Sequence, residues 1–238
     1  MNVALIFAGG VGRRMNTNGR PKQFLELHGK PILIYTLELF DNHPMIDGII
    51  VVCLKEWMDY LKKMLRKFEI NKVVEIVEGG SSGQDSIFNG LQCAIKHYSG
   101  DSVVLIHDGV RPLIVEQTIT DNINCVRQYG NCVTCVQAIE TFVIQQNDES
   151  LYIPDRSKSM LARAPQSFIL GDIYNKHIQA KKEGHLSFID SCSLMTYYGD
   201  KMHTIIGPTE NIKITTPTDF FVFRAMVEVH ENQHIFGL

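Results

Sequence analysis

Short apolar runs alternate with helix-forming stretches through the first half of the chain, and this alternation restricts the possible folds more than any other feature. The apolar runs are VALIFA (3–8), GIIVVCL (48–54), KVVEIVEGG (72–80) and SVVLIHDGVRP (102–112). In residues 31–40, 56–68 and 84–98 the apolar side chains recur at helical spacing, which predicts three helices. The last of these is expected to have Asp85 or Ser86 near its N-cap. Continuous apolar runs are typical of parallel strands covered on both faces. The pattern predicts an α/β fold with a doubly wound, mostly parallel, Rossmann-like sheet.

Residues 139–160 break this rhythm. The segment IETFVIQQNDESLYIPDRSKSM reads as two strands joined by a polar turn, which predicts a protruding β-hairpin arm. Two helices, two short strands and a last helix are expected after it, near 171–182, 190–198, 202–207, 211–215 and from about 217. The length of 238 residues suits one domain, 1–238, with the arm as a subregion.

Composition and charge exclude several classes of protein. The net charge of −3 offers no global basic field for nucleic acid. No apolar stretch approaches the roughly 18 residues of a membrane span, and no signal peptide is evident. The six cysteines are scattered among apolar neighbours, which favours reduced thiols in a cytoplasmic protein. Cys132 and Cys135 spell CxxC, but NCVTCVQAI reads as a strand in which they face opposite sides.

Three glycine- or charge-rich loops follow three of the predicted strands, and one of them suggests a phosphate site. The loops are FAGGVGRRM (7–15), GGSSGQDS (79–86) and HDGVRP (107–112). Ligands of doubly wound sheets bind at the carboxyl ends of the strands, where these loops would meet. Glycines let backbone N–H groups approach phosphate oxygens, and Arg14 and Lys22 would add charge there.

Other interpretations of the glycine loop fit less well. The P-loop pattern is absent. A dinucleotide fingerprint needs a third small residue where Arg13, Arg14 and Met15 stand, so a redox enzyme is disfavoured. A tight turn with solvated arginines is the plain alternative, but Pro21 stiffens the chain just before Lys22.

Several motifs together resemble one enzyme family. AGGVGRRM, PKQF, GGSSGQDS, HDGVRP, the DR of IPDRSK, APQ and NIKITTPTD occur here in the order and spacing of the cytidylyltransferases that act on 2-C-methyl-D-erythritol 4-phosphate and on ribitol 5-phosphate. The resemblance runs from Met1 to about residue 230. It implies a nucleotidyltransferase-type sheet, a divalent cation (Mg²⁺), and a homodimer formed through the arm.

The resemblance also implies site residues. Those of the catalytic centre are Arg14, Lys22 and Lys213. Those that bind the nucleotide are Ala8, Gly9, Gly10, Gly12, Gly80, Ser81, Ser86 and Asp108, with Asp108 also holding the metal. Those that bind the acceptor are Arg111, Thr141, Arg156 and Asp190, with Thr141 and Arg156 serving the partner's site.

The implied reaction joins CTP and a polyol phosphate to give a CDP-polyol and pyrophosphate. Its nucleophile is a phosphate oxygen that is already anionic, so the chemistry needs positioning and positive charge rather than a base or a Ser-His-Asp set. His107 is therefore interpreted as a space-filling histidine that makes a hydrogen bond.

Several positions depart from the erythritol-type pattern. Gly83, in the nucleotide loop, stands where those enzymes commonly carry arginine, and Ala164 and Ile189 replace threonines in the acceptor pocket. The two lost hydroxyls would weaken binding of a substrate that needs them, and the five-residue spacer 16–20 and the VRP of HDGVRP resemble the ribitol-type enzymes. These features favour a pentitol phosphate, D-ribitol 5-phosphate above all, for a cell-surface polymer. The alternative is methylerythritol phosphate in isoprenoid synthesis. A CTP sensor without turnover is a further alternative, which the presence of Lys22, Asp108 and Lys213 disfavours.

One motif points elsewhere. His230, Glu231 and His234 match HExxH, which in zinc peptidases places two imidazoles on one helix face. The segment is polar and lies at the end of the chain, so a zinc hydrolase is disfavoured.

Overall fold

The predicted alternation of strands and helices is present in the structure, a computed structural model that describes residues 1–10, 19–147 and 149–236. The strands are β1 (Asn2–Ala8), β2 (Glu26–Leu27), β3 (Lys30–Pro31), β4 (Gly48–Cys53), β5 (Val73–Glu78), β6 (Val103–Asp108), β7 (Asn131–Gln137), β8 (Ile144–Gln145), β9 (Leu151–Tyr152), β10 (Met160–Ile169) and β11 (Thr204–Ile206). The helices are α1 (Ile32–Asp41), α2 (Met58–Lys67), α3 (Gly83–His97), α4 (Glu116–Tyr129), α5 (Leu170–Glu183), α6 (Ser191–Tyr197) and α7 (Pro217–Phe236).

Seven of these strands form one sheet in the order β11-β7-β10-β6-β1-β4-β5. Strand β10 runs antiparallel to β6 and β7, and the other neighbours are parallel. The prediction of a doubly wound, mostly parallel α/β sheet is confirmed. Strands β2 with β3, and β8 with β9, form two small separate ribbons.

Both faces of the central strands are covered, which explains why their sequences are apolar throughout rather than alternating. In β1, Ala4 and Ile6 join a core cluster with α1 and α4, whereas Val3 and Leu5 join a second cluster with α3 and α5. Strand β5 lies at the edge of the sheet and accordingly carries exposed glutamates at its surface. Within the described residues, no helix combines the length and apolar character needed to cross a bilayer.

The arm is a short hairpin, as predicted. Strands β8 and β9 pair antiparallel, and the backbone N–H of Gln146 donates to the carbonyl of Ser150 at 2.8 Å. Its large apolar side chains are mostly exposed, including Ile139 (74%) and Leu151 (66%). Exposed large apolar side chains are therefore concentrated on this arm.

Three local expectations were wrong or incomplete. Residues 211–215 form no strand. The Ile214 N–H donates to the carbonyl of Val110, and the Thr215 N–H donates to the Asp219 carboxylate at the start of α7. The N-cap of α3 is Ser82 rather than Asp85 or Ser86, because its extended backbone lets the Ser82 hydroxyl accept from the Asp85 N–H at 3.0 Å. Neither α4 nor β10 was among the predicted elements.

Histidine 177 on α5 predicts a pH-dependent stability. Its ring is buried against Phe88, and among the described residues neither ring nitrogen has a hydrogen-bond partner. Burial, followed by the charge of Lys181, lowers the pKa of His177 to about 4. The unfolded chain takes up this proton near pH 6.5, and the folded protein only near pH 4. The contribution of the neutral His177 ring to the free energy of unfolding is therefore complete above pH 6.5 and is lost as the pH falls towards 4.

The free energy of unfolding should therefore fall by about 2 kcal/mol between pH 7 and pH 5 on account of this group alone. We expect His177→Phe, which keeps a ring without a titrating nitrogen, to remove that share of the pH dependence. Urea unfolding of both proteins at the two pH values measures it. Parallel pH profiles for the variant and the original chain would contradict the assignment.

Candidate active site

The described residues of the three glycine- or charge-rich loops meet at one edge of the sheet, as predicted. In the strand register, Ala8 at the end of β1 lies level with Cys53, which lies level with Glu78 at the end of β5, and Phe7 lies level with Asp108. A cleft of about 290 Å³ opens at this edge beside the ends of β1 and β6. Its lining includes Asp108, Arg111, Arg163, Gln166, Asp190 and Lys213.

Asp108 is held between two cations at the end of β6. Its Oδ1 lies 2.5 Å from Lys213 Nζ, and its Oδ2 accepts from Arg111 Nε at 2.8 Å. Burial by itself raises the pKa of Asp108, but the charges of Lys213 and Arg111 outweigh it and hold that pKa below its ordinary value. The carboxylate is therefore ionised at neutral pH, although only 5% of the residue is exposed.

The NIK motif positions Lys213 by anchoring the residues around it. Buried Asn211 donates its side-chain amide to the carbonyl of Ala164 at 2.7 Å. Buried Ile214 donates its N–H to the carbonyl of Val110, in the HDGVRP loop, at 2.9 Å. Lys213 between these anchors reaches Asp108 while 40% of its side chain stays exposed. Two segments about 100 residues apart in sequence are thereby fixed around one carboxylate.

The glycine loop and the PKQF segment are joined by one buried side chain. Gln23 donates its amide to the carbonyls of Ala8, at 2.5 Å, and of Gly10, at 3.1 Å. Lys22, half-buried, precedes it in a 3-10 turn that spans Lys22–Phe24. The segment that carries Lys22 is thus tied to the end of β1. Gly12 and Arg14 lie outside the described residues.

The loop after β5 packs against the glycine loop. The Gly80 N–H donates to Ser86 Oγ at 3.0 Å, and Ser81 Oγ donates to Asp85 at 2.6 Å. A Cβ on Gly80 would lie 2.3 Å from that of Asp85, and one on Gly9 would lie 3.3 Å from Ser86 Oγ. These glycines therefore permit the close approach that brings Gly9, Gly80 and Ser86 together.

The predicted acceptor residues fall into two groups. Arg111 and Asp190 line the cleft, and Asp190 accepts from Gln166 Nε2 at 2.9 Å and from the Ser193 N–H at 2.8 Å. Thr141 and Arg156 are exposed on the arm and are not part of the cleft lining. The structure of one chain therefore does not bring the second group to the cleft.

Arg163 lines the cleft but is not among the sequence-predicted residues. It directly precedes the APQ motif, so a cation beside that motif was the available signal. Arg163 donates from a terminal guanidinium nitrogen to the carbonyl of Asn211 at 3.2 Å.

His107 has a structural role, and Cys132 and Cys135 are not part of the cleft lining. His107 is fully buried, contacts the Phe40 ring and lies with Nε2 3.2 Å from the Arg111 carbonyl, as interpreted from the sequence. Burial lowers its pKa to about 4, so the ring is neutral and Nε2–H is the donor. Cys132 and Cys135 are free, and burial raises the pKa of both thiols. The side chains of His230 and His234 lie outside the described part of the chain.

One further group of side chains has metal-ligand character among the described residues. Glu75, Cys93 and His97 lie close together between β5 and the end of α3. Glu75 accepts from Cys93 Sγ at 3.1 Å and lies 2.7 Å from His97 Nε2, so the three satisfy one another. They lie at the C-terminal end of α3, whereas the loop that meets the glycine loop is at its N-terminal end.

Known proteins resemble this chain over nearly its whole length. The family model described as IspD, 2-C-methyl-D-erythritol 4-phosphate cytidylyltransferase, matches residues 2–229. A ribitol-5-phosphate cytidylyltransferase of Vibrio parahaemolyticus is 52% identical over all of both chains. A 2-C-methyl-D-erythritol 4-phosphate cytidylyltransferase of Clostridium acetobutylicum is 38% identical over 98% of this chain and 100% of its own.

A solved structure agrees with these sequence matches. The crystal structure of 4-diphosphocytidyl-2C-methyl-D-erythritol synthase from Anaerococcus prevotii superposes with a TM-score of 0.82 at 27% identity, covering 96% of each chain. The family model spans residues 2–229, so it covers the sheet, the loops and the charged cleft together. The chain belongs to the IspD family of cytidylyltransferases.

Proposed function

We propose that this chain transfers the cytidylyl group of CTP to D-ribitol 5-phosphate and releases pyrophosphate. The observation that carries the proposal is the Asp108 carboxylate, held ionised between Lys213 and Arg111 at the carboxyl ends of the strands. The relative that is 52% identical is named for ribitol 5-phosphate, and the methylerythritol relative reported above is 38% identical. The CDP-ribitol product would supply a cell-surface polymer.

CTP would bind along the glycine loop and the loop after β5. Backbone N–H groups at Ala8, Gly9, Gly10 and Gly12 would face the phosphates, and Gly80, Ser81 and Ser86 would surround the cytosine and ribose. The close approach of Gly9 to Ser86, where a Cβ on Gly9 would lie 3.3 Å from Ser86 Oγ, supports one continuous nucleotide surface. Arg14 and Lys22 would neutralise the triphosphate, and Gln23 ties the Lys22 segment to that loop.

The chemical step needs positioned charge rather than a base. A phosphate oxygen of the acceptor, already anionic, attacks the α-phosphorus of CTP, and the bond to pyrophosphate breaks in line. Lys213, Lys22 and Arg14 stabilise the charge that develops on the oxygens. The His107 ring is neutral and engaged with a carbonyl, so it takes no proton from substrate.

Asp108 is the residue that would hold Mg²⁺. Its two oxygens each make one contact with a cation, which leaves further lone pairs free, since an ionised carboxylate offers about four. Magnesium commonly binds through one or two carboxylates together with substrate phosphates, and a single carboxylate beside a phosphate site matches that coordination pattern. Bound there, the ion would withdraw charge from the α-phosphate and from the leaving pyrophosphate.

We further propose a cytoplasmic homodimer of single-domain subunits in which the arm completes the partner's site. Thr141 and Arg156 are exposed on an arm rich in exposed apolar side chains, away from the cleft of their own chain. An exposed arginine on such an arm could bind an acceptor phosphate only where another chain supplies the remainder of the site.

Subunit mixing tests this arrangement. We expect Arg156→Ala and Lys213→Ala to inactivate the enzyme separately, and co-expression of the two to restore about a quarter of the activity, because half of randomly paired dimers contain one intact site. Pyrophosphate release from the co-purified dimers measures the recovery. Co-expression of Lys213→Ala with the double variant is the matched control and should stay inactive. Absence of recovery in the first mixture would show that the arm serves its own chain.

The function is tested by pyrophosphate release from CTP with Mg²⁺ and a panel of acceptors. We expect kcat/KM for ribitol 5-phosphate to exceed that for 2-C-methyl-D-erythritol 4-phosphate and glycerol 3-phosphate by at least about tenfold, because each lost hydroxyl contact costs about 1.4 kcal/mol or more. A preference for the methylerythritol substrate would instead establish the alternative, isoprenoid synthesis. CTP binding without turnover on any acceptor would indicate a nucleotide sensor.

A further inference from the structure

Three cationic side chains, Lys213, Arg111 and Arg163, line the cleft, and among the described residues only two carboxylates, Asp108 and Asp190, line it with them. Lys213 and Arg111 both contact Asp108. Arg163 contacts a neutral carbonyl, that of Asn211, and no carboxylate of the described chain. Asp190, the other acid of the cleft, is held by Gln166 and by the N–H of Ser193. The cleft therefore carries positive charge that its own carboxylates do not balance.

The two arginines share a single acceptor. Arg111 and Arg163 each donate from Nη1 to the carbonyl oxygen of Asn211, at 2.8 Å and 3.2 Å. Two guanidinium groups that meet on one oxygen repel each other, and burial together with Arg111 lowers the pKa of Arg163. A guanidinium carries five N–H donors, of which Arg163 uses one here. An oxyanion is the group that would relieve the repulsion and take the remaining donors.

The backbone holds Arg163 in this position. Strand β10 pairs regularly with β7 at Ala162 and again at Gln166, and its register shifts between them. Such an irregularity redirects the side chains it contains, here towards the cleft. The Asn211 amide bonds the carbonyl of Ala164 within the same irregular stretch, so Asn211 fixes the shared acceptor and the strand together.

We propose that Arg163, with Arg111, forms the oxyanion subsite that this chain contributes to binding the phosphate monoester of the polyol acceptor, alongside the partner's Arg156, and that Arg163 so determines acceptor affinity. The inference rests on the proposed function. Asp190 and Gln166 line the same cleft and offer carboxylate and amide groups to the hydroxyls of a polyol. The proposed nucleotide surface lies across the glycine loop, so this subsite should distinguish the acceptor from CTP.

Arg163→Gln tests the proposal, because glutamine keeps a polar side chain and removes the charge and the fork of donors. We expect KM for ribitol 5-phosphate to rise at least about tenfold and KM for CTP to change by less than about twofold, as for the loss of one charge-assisted contact to a single substrate. Arg163→Lys should restore part of the acceptor affinity. Arg224→Gln, which removes an exposed arginine paired with Glu228, is the matched control and should leave both KM values unchanged.

A direct binding measurement separates this inference from the proposed function. Titration with inorganic phosphate, without CTP, should show binding that is at least about tenfold weaker in Arg163→Gln than in the original chain and in Arg224→Gln. Turnover by the original chain with unchanged acceptor KM in Arg163→Gln would overturn the inference alone. A rise in KM for CTP equal to that for the acceptor would also overturn it. If no acceptor is turned over, the proposed function fails, and equal phosphate affinities in all three proteins would then reject the subsite as well.

Discussion

Lys213→Ala is expected to reduce kcat by a factor of about 10² or more while the protein remains folded. The ammonium group lies 2.5 Å from Asp108, and 40% of its side chain is exposed, so it faces the cleft where charge would develop on the phosphate oxygens. Removal of a positioned charge at a reacting centre typically costs about 2.7 kcal/mol or more of transition-state stabilisation. The anchors Asn211 and Ile214 are untouched by the substitution, so the segment should keep its path.

Single-turnover and steady-state pyrophosphate release measure this loss. Lys22→Ala should behave similarly, since the PKQF segment is tied to the glycine loop by Gln23. Lys182→Ala, on the exposed surface of α5, removes the same charge from the protein and should retain full activity. Near-normal kcat in both Lys22→Ala and Lys213→Ala would refute the proposed roles of these lysines.

Asp108→Asn is expected to lower kcat/KM by about 10² or more and to raise the Mg²⁺ concentration needed for half-maximal rate. Asparagine keeps the shape of the side chain but removes the charge that attracts the ion, and it leaves Lys213 and Arg111 facing each other. Loss of one partner of a fully buried pair costs about 3–5 kcal/mol of stability. The cost here should be smaller, because Lys213 is 40% exposed and water can solvate its charge.

Two measurements on Asp108→Asn distinguish a metal role from a purely structural one. Urea unfolding reports the stability loss, and the Mg²⁺ dependence of pyrophosphate release reports the ion. Asp172→Asn, in the exposed first turn of α5, removes an equal charge far from the cleft lining and should leave the Mg²⁺ dependence unchanged. An Asp108→Asn enzyme with an unaltered Mg²⁺ dependence would assign Asp108 to the positioning of Lys213 and Arg111 instead.

Local sequence signals were sufficient for the elements in which packing and periodicity agree. The apolar runs of β1, β4 and β6 are buried on both faces, so no alternative to a covered parallel strand fits them. The carboxyl-end loops follow from the same logic, because parallel strands end at one edge. Helix α4 buries Ile119, Ile123 and Val126 at helical spacing, but buried Thr118, Asn122 and Cys125 lie beside them, and such a mixed face weakens the periodic signal.

Other features depended on contacts between distant segments. The stretch 211–215 was predicted as a strand, but the backbone N–H groups of Ile214 and Thr215 donate to the HDGVRP loop and to the Asp219 carboxylate at the start of α7 rather than to a strand ladder. Likewise, nothing near Arg163 in the sequence indicates that its guanidinium meets that of Arg111 on the carbonyl of Asn211, 48 residues away from it.

The sequence by itself therefore determined the sheet, the loops at its edge and the residue types gathered there, because strand burial, glycine freedom and motif spacing are local properties of the chain. Only the tertiary structure decided which charges meet: that Lys213 and Arg111 flank one carboxylate, that Gln23 ties its segment to the glycine loop, and that Arg163 faces Arg111. The physical reason is that electrostatic interactions depend on distances of a few ångströms between side chains, and those distances are set by strand order and register, which bring together residues far apart in the chain.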